Sequence, residues 1–264
     1  MIGFYTHIYF ASKVTEGLPI GSSQVIKLYP DAFRLGLLGT DILDGISNVR
    51  AELDSMHSYD LFASSAEYIL GSGSKCQLSY MLGMICHYLL DSRLKPYIYY
   101  VYEHGVHHYF DEEVSILDLC DIENSIDYYI RCSHMISQMD EIKSFKARGF
   151  VVEDIIDLYV NGINPRCLGY VVEAGQIRTQ FNSFTFRDPV PKDMLTNDYM
   201  NTKRRPWQQV RNEYFETNVS LEQMFDKITP IAQKMIKDYM ASARSDYPLT
   251  RKAFLINANG VKTK

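Results

Sequence analysis

The chain has 264 residues, 46% of them hydrophobic, 22% charged and 13% aromatic, which is the composition of a globular protein with a sizeable core and excludes a disordered or fibrous chain. A domain of this length buries about three quarters of its unfolded surface, so its stability requires no disulfide framework. Lys and Arg number 27 against 32 Asp and Glu, and the resulting formal charge of −5 offers no positive field for duplex nucleic acid. In chain order, the start MIGFYTHIYF lacks a charged n-region followed by a long apolar stretch. The cysteines Cys76, Cys86, Cys120, Cys132 and Cys167 are odd in number and form no C-x-x-C pair, so the expectation is a reduced, cytoplasmic protein. Residues 31 to 160 show helical periodicity, as in Val152, Ile155, Ile156 and Tyr159, and strand-like alternation is scarce. The class read from this is all-α. The apolar run from Leu78 to Leu90 falls short of the roughly 18 to 20 residues of a membrane span. From about 161 to 206 Gly, Pro, Asn and Asp dissolve the pattern, which predicts a long irregular connection with one hairpin, built from stretches such as YVVE and SFTF. A last helix starts at Ser220 with the capping box Ser-Leu-Glu-Gln, and Leu221, Met224, Phe225 and Ile228 form its apolar face. Pro230 is expected to bend or end that helix, and the stretch from Arg251 reads as surface. No repeat divides the chain, so 1–264 is read as a single α-helical domain.

The polar atoms are distributed less evenly. All seven histidines, His7, His57, His87, His104, His107, His108 and His134, lie within the first 134 residues. Between Cys76 and Leu90 no residue carries a formal charge apart from whatever His87 takes up, and Asp91 follows His87 by one helical turn. A helix this apolar is buried nearly all round, where an imidazole and a carboxylate without partners would cost several kcal/mol. A metal ion satisfies both. A buried His–Asp hydrogen bond accounts equally well for this pair taken alone. His108 and Glu112 repeat the i, i+4 arrangement, and two H-x-x-x-[DE] pairs can present nitrogen and carboxylate ligands to one pocket, as helix bundles do. Such donors without thiolate suit Zn, Mn or Fe.

The motifs T-H-I-Y-F at 6–10, L-G-L-L-G-T-D at 35–41, M-H at 56–57, Y-M-L-G-M-I-C-H-Y-L-L-D-S at 80–92 and H-Y-F-D-E at 108–112 stand in an order that resembles the zinc-dependent phospholipase C family of bacteria. That family has an all-α fold shared with nucleases of the P1 type. The resemblance covers about residues 1 to 120, and more loosely Arg205-Pro-Trp207 through the helix after Ser220. It implies a cluster of three zinc ions, of which the departures described below leave one to three expected here. His7 and Asp91 would hold one ion, Asp91 being shared with a second that is held by Asp41, His57 and His87. His108 and Glu112 would hold the third. The implied reaction is phosphodiester hydrolysis, on a phospholipid or a related diester, by metal-activated water that Asp41 orients or deprotonates.

Two features depart from that pattern. Lys95 stands where the family places a further histidine ligand, and an ammonium is a poor zinc ligand. The third ion is then expected to be absent, weak, or completed by His104 or His107. Met1 followed by Ile2 also differs from the processed amino terminus that ligates zinc in secreted members. Two alternatives remain open from the sequence: a nucleotide or small-molecule phosphodiesterase, and a metal-binding or structural protein whose catalytic site has decayed. No strongly basic amphipathic helix marks an interfacial surface, and Lys203-Arg204-Arg205 reads as a solvated loop.

Overall fold

A computed structural model describes residues 3–46, 48–104, 118–134, 149–168, 172–184, 189, 198–208, 216–245 and 247–262. The elements in chain order are α1 (Phe4–Glu16), α2 (Ile20–Leu28), α3 (Pro30–Gly36), a 3-10 turn (Gly39–Leu43), α4 (Val49–Ser55), α5 (Ser58–Ser72), α6 (Lys75–His104) and α7 (Leu119–Ser133). They continue with α8 (Gly149–Asp157), which runs into a π turn (Leu158–Ile163), α9 (Asn164–Cys167), α10 (Ala174–Ser183), the strands β1 (Trp207–Gln208) and β2 (Glu216–Thr217), α11 (Leu221–Ser242) and a 3-10 turn (Arg251–Phe254). The fold is all-α, and the two strands among the described residues form a short antiparallel ladder.

The apolar run of α6 determines the arrangement, because a helix without a polar face must be covered on every side. All residues from Cys76 to Ser92 are buried, and α1, α2, α3, α5, α7, α8 and α11 pack around this helix. With 30 residues α6 is about 45 Å long. Its closest neighbour is α3, where Gly36 and Gly83 let two backbones touch. A Cβ at Gly36 would lie 2.0 Å from the Tyr80 carbonyl oxygen, and one at Gly83 would lie 2.2 Å from that of Phe33.

The first turn of α1 is capped from another helix, since Gly3 at its N-cap has no side chain. Asp127 of α7 accepts hydrogen bonds from the Thr6 amide at 2.7 Å and the Thr6 hydroxyl at 2.8 Å. Burial pushes the Asp127 pKa up to about 6, even though the Thr6 donors favour the carboxylate. The folded state therefore holds this proton between about pH 4 and pH 6, where the unfolded chain has released it, so the group's contribution is present at low pH and lost as pH rises through 6. The shift corresponds to about 3 kcal/mol. Asp127→Asn keeps an acceptor and adds no charge, so it is expected to be as stable as the native chain near pH 4.5 and more stable at pH 7.5. Parallel thermal melts at the two pH values check this, and an equal difference at both would contradict it.

Three expectations are corrected. The stretch from about 161 to 206 is not uniformly irregular, because α9 and α10 lie within it. Pro165 sits at the start of α9, where its missing amide is harmless, and Glu173 and Gln176 form a capping box for α10. YVVE and SFTF lie partly outside the described residues, and the antiparallel ladder of β1 and β2 comes after that stretch. The helix α11 begins at the Ser220 capping box and continues through Pro230 to Ser242. Ile228 before the proline and Ala232, Met235, Ile236 and Tyr239 after it are all buried, and that packing outweighs the lost backbone bond. The end of the chain is not merely surface. Phe254, Asn257 and Ala258 are buried, Ser58 and Tyr88 both donate to the Ile256 carbonyl, and Asn257 reaches back to the Ser55 carbonyl.

Candidate metal centre

His87, Asp91 and Lys95 lie one turn apart on α6, in its buried portion. His7 enters from α1, Asp41 from the 3-10 turn that follows α3, and Asp54 from α4. His7 Nε2 is 3.1 Å from Asp91 Oδ1, His87 Nε2 is 3.6 Å from Asp91 Oδ2, and the two imidazoles stack at 4.6 Å between centroids. Both histidines are 2% exposed and Asp91 is fully buried, so water does not shield these atoms from one another. Among the described residues, His7, His87 and Asp91 are the one group of three or more His, Cys, Asp or Glu side chains whose donor atoms all lie within 4.8 Å of one another.

The tautomers follow from the backbone. His7 Nδ1 is 3.0 Å from the Gly3 carbonyl oxygen and His87 Nδ1 is 3.1 Å from that of Leu37. A carbonyl only accepts, so each Nδ1 carries its hydrogen and each neutral ring turns the Nε2 lone pair towards Asp91. Metal-ligating histidines are oriented in this way. Two lone pairs facing a carboxylate repel it unless a cation lies among them. For His7 a proton is one such cation: burial lowers its pKa, but the Asp91 carboxylate outweighs burial and holds it above the usual imidazole value. For His87 burial prevails over the pull of Asp91 and the pKa is lowered, so that ring is neutral, and its buried Nε2 has no hydrogen-bond partner. This orphaned nitrogen, together with the N, N, O donor set, fits a zinc ion.

Gly39 lets the ring of His87 approach the turn that carries Asp41. Its φ is +57°, and a Cβ there would lie 2.0 Å from the His87 ring. Asp41 faces Arg50, whose Nη2 is 2.7 Å from Asp41 Oδ1, while Nη1 reaches Asp44 at 2.7 Å and Nε lies 3.8 Å from Asp54. Burial holds the Asp41 pKa above the carboxylate range despite His87 and Arg50. Lys95 points inward, with Nζ 2.8 Å from Asp91 Oδ2 and 3.7 Å from Asp54 Oδ2, and Asp54 also accepts from the Thr40 hydroxyl. Burial opposes ionisation of Asp91, yet Lys95 and the two histidines hold its pKa well below the usual value.

Of the remaining expected ligands, His57, His108 and Glu112, only His57 lies among the described residues. His57 is half-buried at the start of α5 and joins no such donor group. His104 ends α6 exposed and stacked on Tyr100. His107, His108 and Glu112 lie outside the described residues. Arg50 and Asp54 were not anticipated. The only sequence signal for them is their own i, i+4 spacing on α4.

The all-α fold is consistent with that of the phospholipase C and P1 nuclease type. The pattern that defines the family "Zinc dependent phospholipase C" matches residues 6–144, about half of the chain. The chain belongs to the zinc-dependent phospholipase C family. No curated protein and no solved structure matches it significantly.

Proposed function

We propose that the chain is a zinc-dependent phosphodiester hydrolase acting on a phospholipid or a related diester, with residues 1–264 working as one domain. The observation that supports this reading best is the convergence of the His7 and His87 Nε2 atoms on Asp91. His7, His87 and Asp91 would hold zinc, with Asp41, His57, His108 and Glu112 as further candidates. When bound, zinc supplies an acidified water and charge neutralisation for phosphoryl oxygens. The chain's own residues do the rest. The Gly3 and Leu37 carbonyls fix the ring orientations, and Arg50 holds one oxygen of Asp41. Asp41 orients the attacking water and takes its proton, a role that suits a carboxylate whose pKa burial has raised. Among the described residues no helix is long and apolar enough to cross a membrane.

Zinc content by plasma mass spectrometry, with hydrolysis of bis-p-nitrophenyl phosphate and of phosphatidylcholine vesicles, tests the reading. His87→Ala is expected to lose zinc and at least about 100-fold in activity, since even outer-shell partners of a metal cost about 10–100-fold. Activity on the small diester without hydrolysis of vesicles would assign a nucleotide-sized or similar small substrate. The Lys95 ammonium on Asp91 favours a second reading, in which the centre holds zinc structurally. Bound zinc without activity on either substrate would select it.

A further inference from the structure

The contact network around Asp91 contains four carboxylates, the buried Asp41, Asp54 and Asp91 and the exposed Asp44, and two side-chain cations, the buried Lys95 and the half-buried Arg50. With neutral imidazoles this leaves two negative charges, which a single divalent ion already balances. The cations are also positioned to obstruct a second ion. Lys95 Nζ is 2.8 Å from Asp91 Oδ2, the oxygen a carboxylate would use to share itself between two metals, and 3.7 Å from Asp54. Arg50 Nη2 is 2.7 Å from Asp41 Oδ1, which removes an oxygen from a further carboxylate of the site. An ion arriving on Asp91 Oδ2 would meet a resident positive charge in a site where burial leaves that repulsion poorly screened.

We propose that the centre at Asp91 is mononuclear, with the Lys95 ammonium as a built-in cation in the place of a second metal and Arg50 reinforcing it at Asp41. The inference rests on the zinc-binding part of the function proposed above and extends it: the fixed charge of Lys95 sets how many ions Asp91 accepts. In a hydrolase of this design a single metal must both activate water and meet the phosphoryl group. The bridging arrangement of two-metal centres, with ions about 3.5–4 Å apart, is then unavailable.

The native chain loaded with cobalt(II) tests this without any variant. A mononuclear centre gives an uncoupled high-spin signal in electron paramagnetic resonance, whereas two ions sharing Asp91 give a spin-coupled pair. Zinc counts provide the second arm. At equal free zinc, Lys95→Gln, which removes the charge, is expected to bind one more ion per chain than the native protein, and Lys95→Arg, which keeps it, is expected to bind no more. Circular dichroism confirms that each variant is folded, and if Lys95→Gln is not, the cobalt spectrum of the native chain decides. A coupled cobalt pair, or a folded Lys95→Gln with an unchanged count, overturns the mononuclear centre and leaves the zinc hydrolase standing. Absence of both metals from the native chain overturns the two together.

Discussion

Asp91→Asn is expected to abolish zinc binding and to lower stability by about 3–5 kcal/mol, the usual cost of removing one partner from a buried ion pair. The asparagine fills the same space, so the loss comes from charge. Lys95 would be left buried with only Asp54 at 3.7 Å. In a chain of this length such a loss lowers the melting temperature by roughly 10 °C. The double variant Asp91→Asn/Lys95→Met separates the two consequences. It removes the stranded ammonium as well, so it is expected to recover most of the stability and none of the zinc. Recovery of neither would show that Asp91 supports the fold through something other than its pairing with Lys95.

The parts of this site that could be read in the sequence lie on one helix. The uncharged stretch before Asp91 announces a helix buried all round, and the spacing of His87, Asp91 and Lys95 puts three polar groups on one face of it. Helical periodicity needs only local information, and the all-α class follows from it. What could not be read is what approaches that face through space. Arg50 meets Asp41 across the turn between α3 and α4, and the carbonyls of Gly3 and Leu37 that fix the imidazoles belong to no side-chain pattern. The cap that Asp127 provides for α1 spans 121 positions and likewise has no local signature. Pro230 and the stretch after Arg251 were misread for a related reason. Local rules mark a breaker and a polar tail, whereas burial of Ile228, Met235, Phe254 and Asn257 decides the outcome. For Lys95 the sequence shows a cation near a carboxylate, and only the structure shows it turned inward onto both Asp91 and Asp54.

Gly36→Ala is expected to disable the centre without touching a ligand. The added Cβ would stand 2.0 Å from the Tyr80 carbonyl oxygen and 2.9 Å from the Met84 amide nitrogen, both of them backbone atoms of α6. No rotamer change relieves contacts with backbone, so α3 must move away from α6. Overpacking of this kind costs typically about 1–3 kcal/mol. The functional loss should exceed the loss of stability, because α3 leads directly into two parts of the site. Its C-terminal Leu37 carbonyl holds the Nδ1 hydrogen of His87, and the turn beyond it places Gly39 against the His87 ring and Asp41 beside Arg50. A displaced Leu37 carbonyl frees the imidazole to rotate and withdraws the Nε2 lone pair from Asp91. Zinc affinity is therefore expected to fall by about 10–100-fold, the range found when the outer partner of a metal-bound histidine is lost. Gly71→Ala provides the control: it is the same substitution in a helix, at a position where the new Cβ meets nothing within 4 Å. That variant should retain native zinc affinity, and a Gly36→Ala chain binding zinc equally well would show that the α3–α6 contact does not set the orientation of His87.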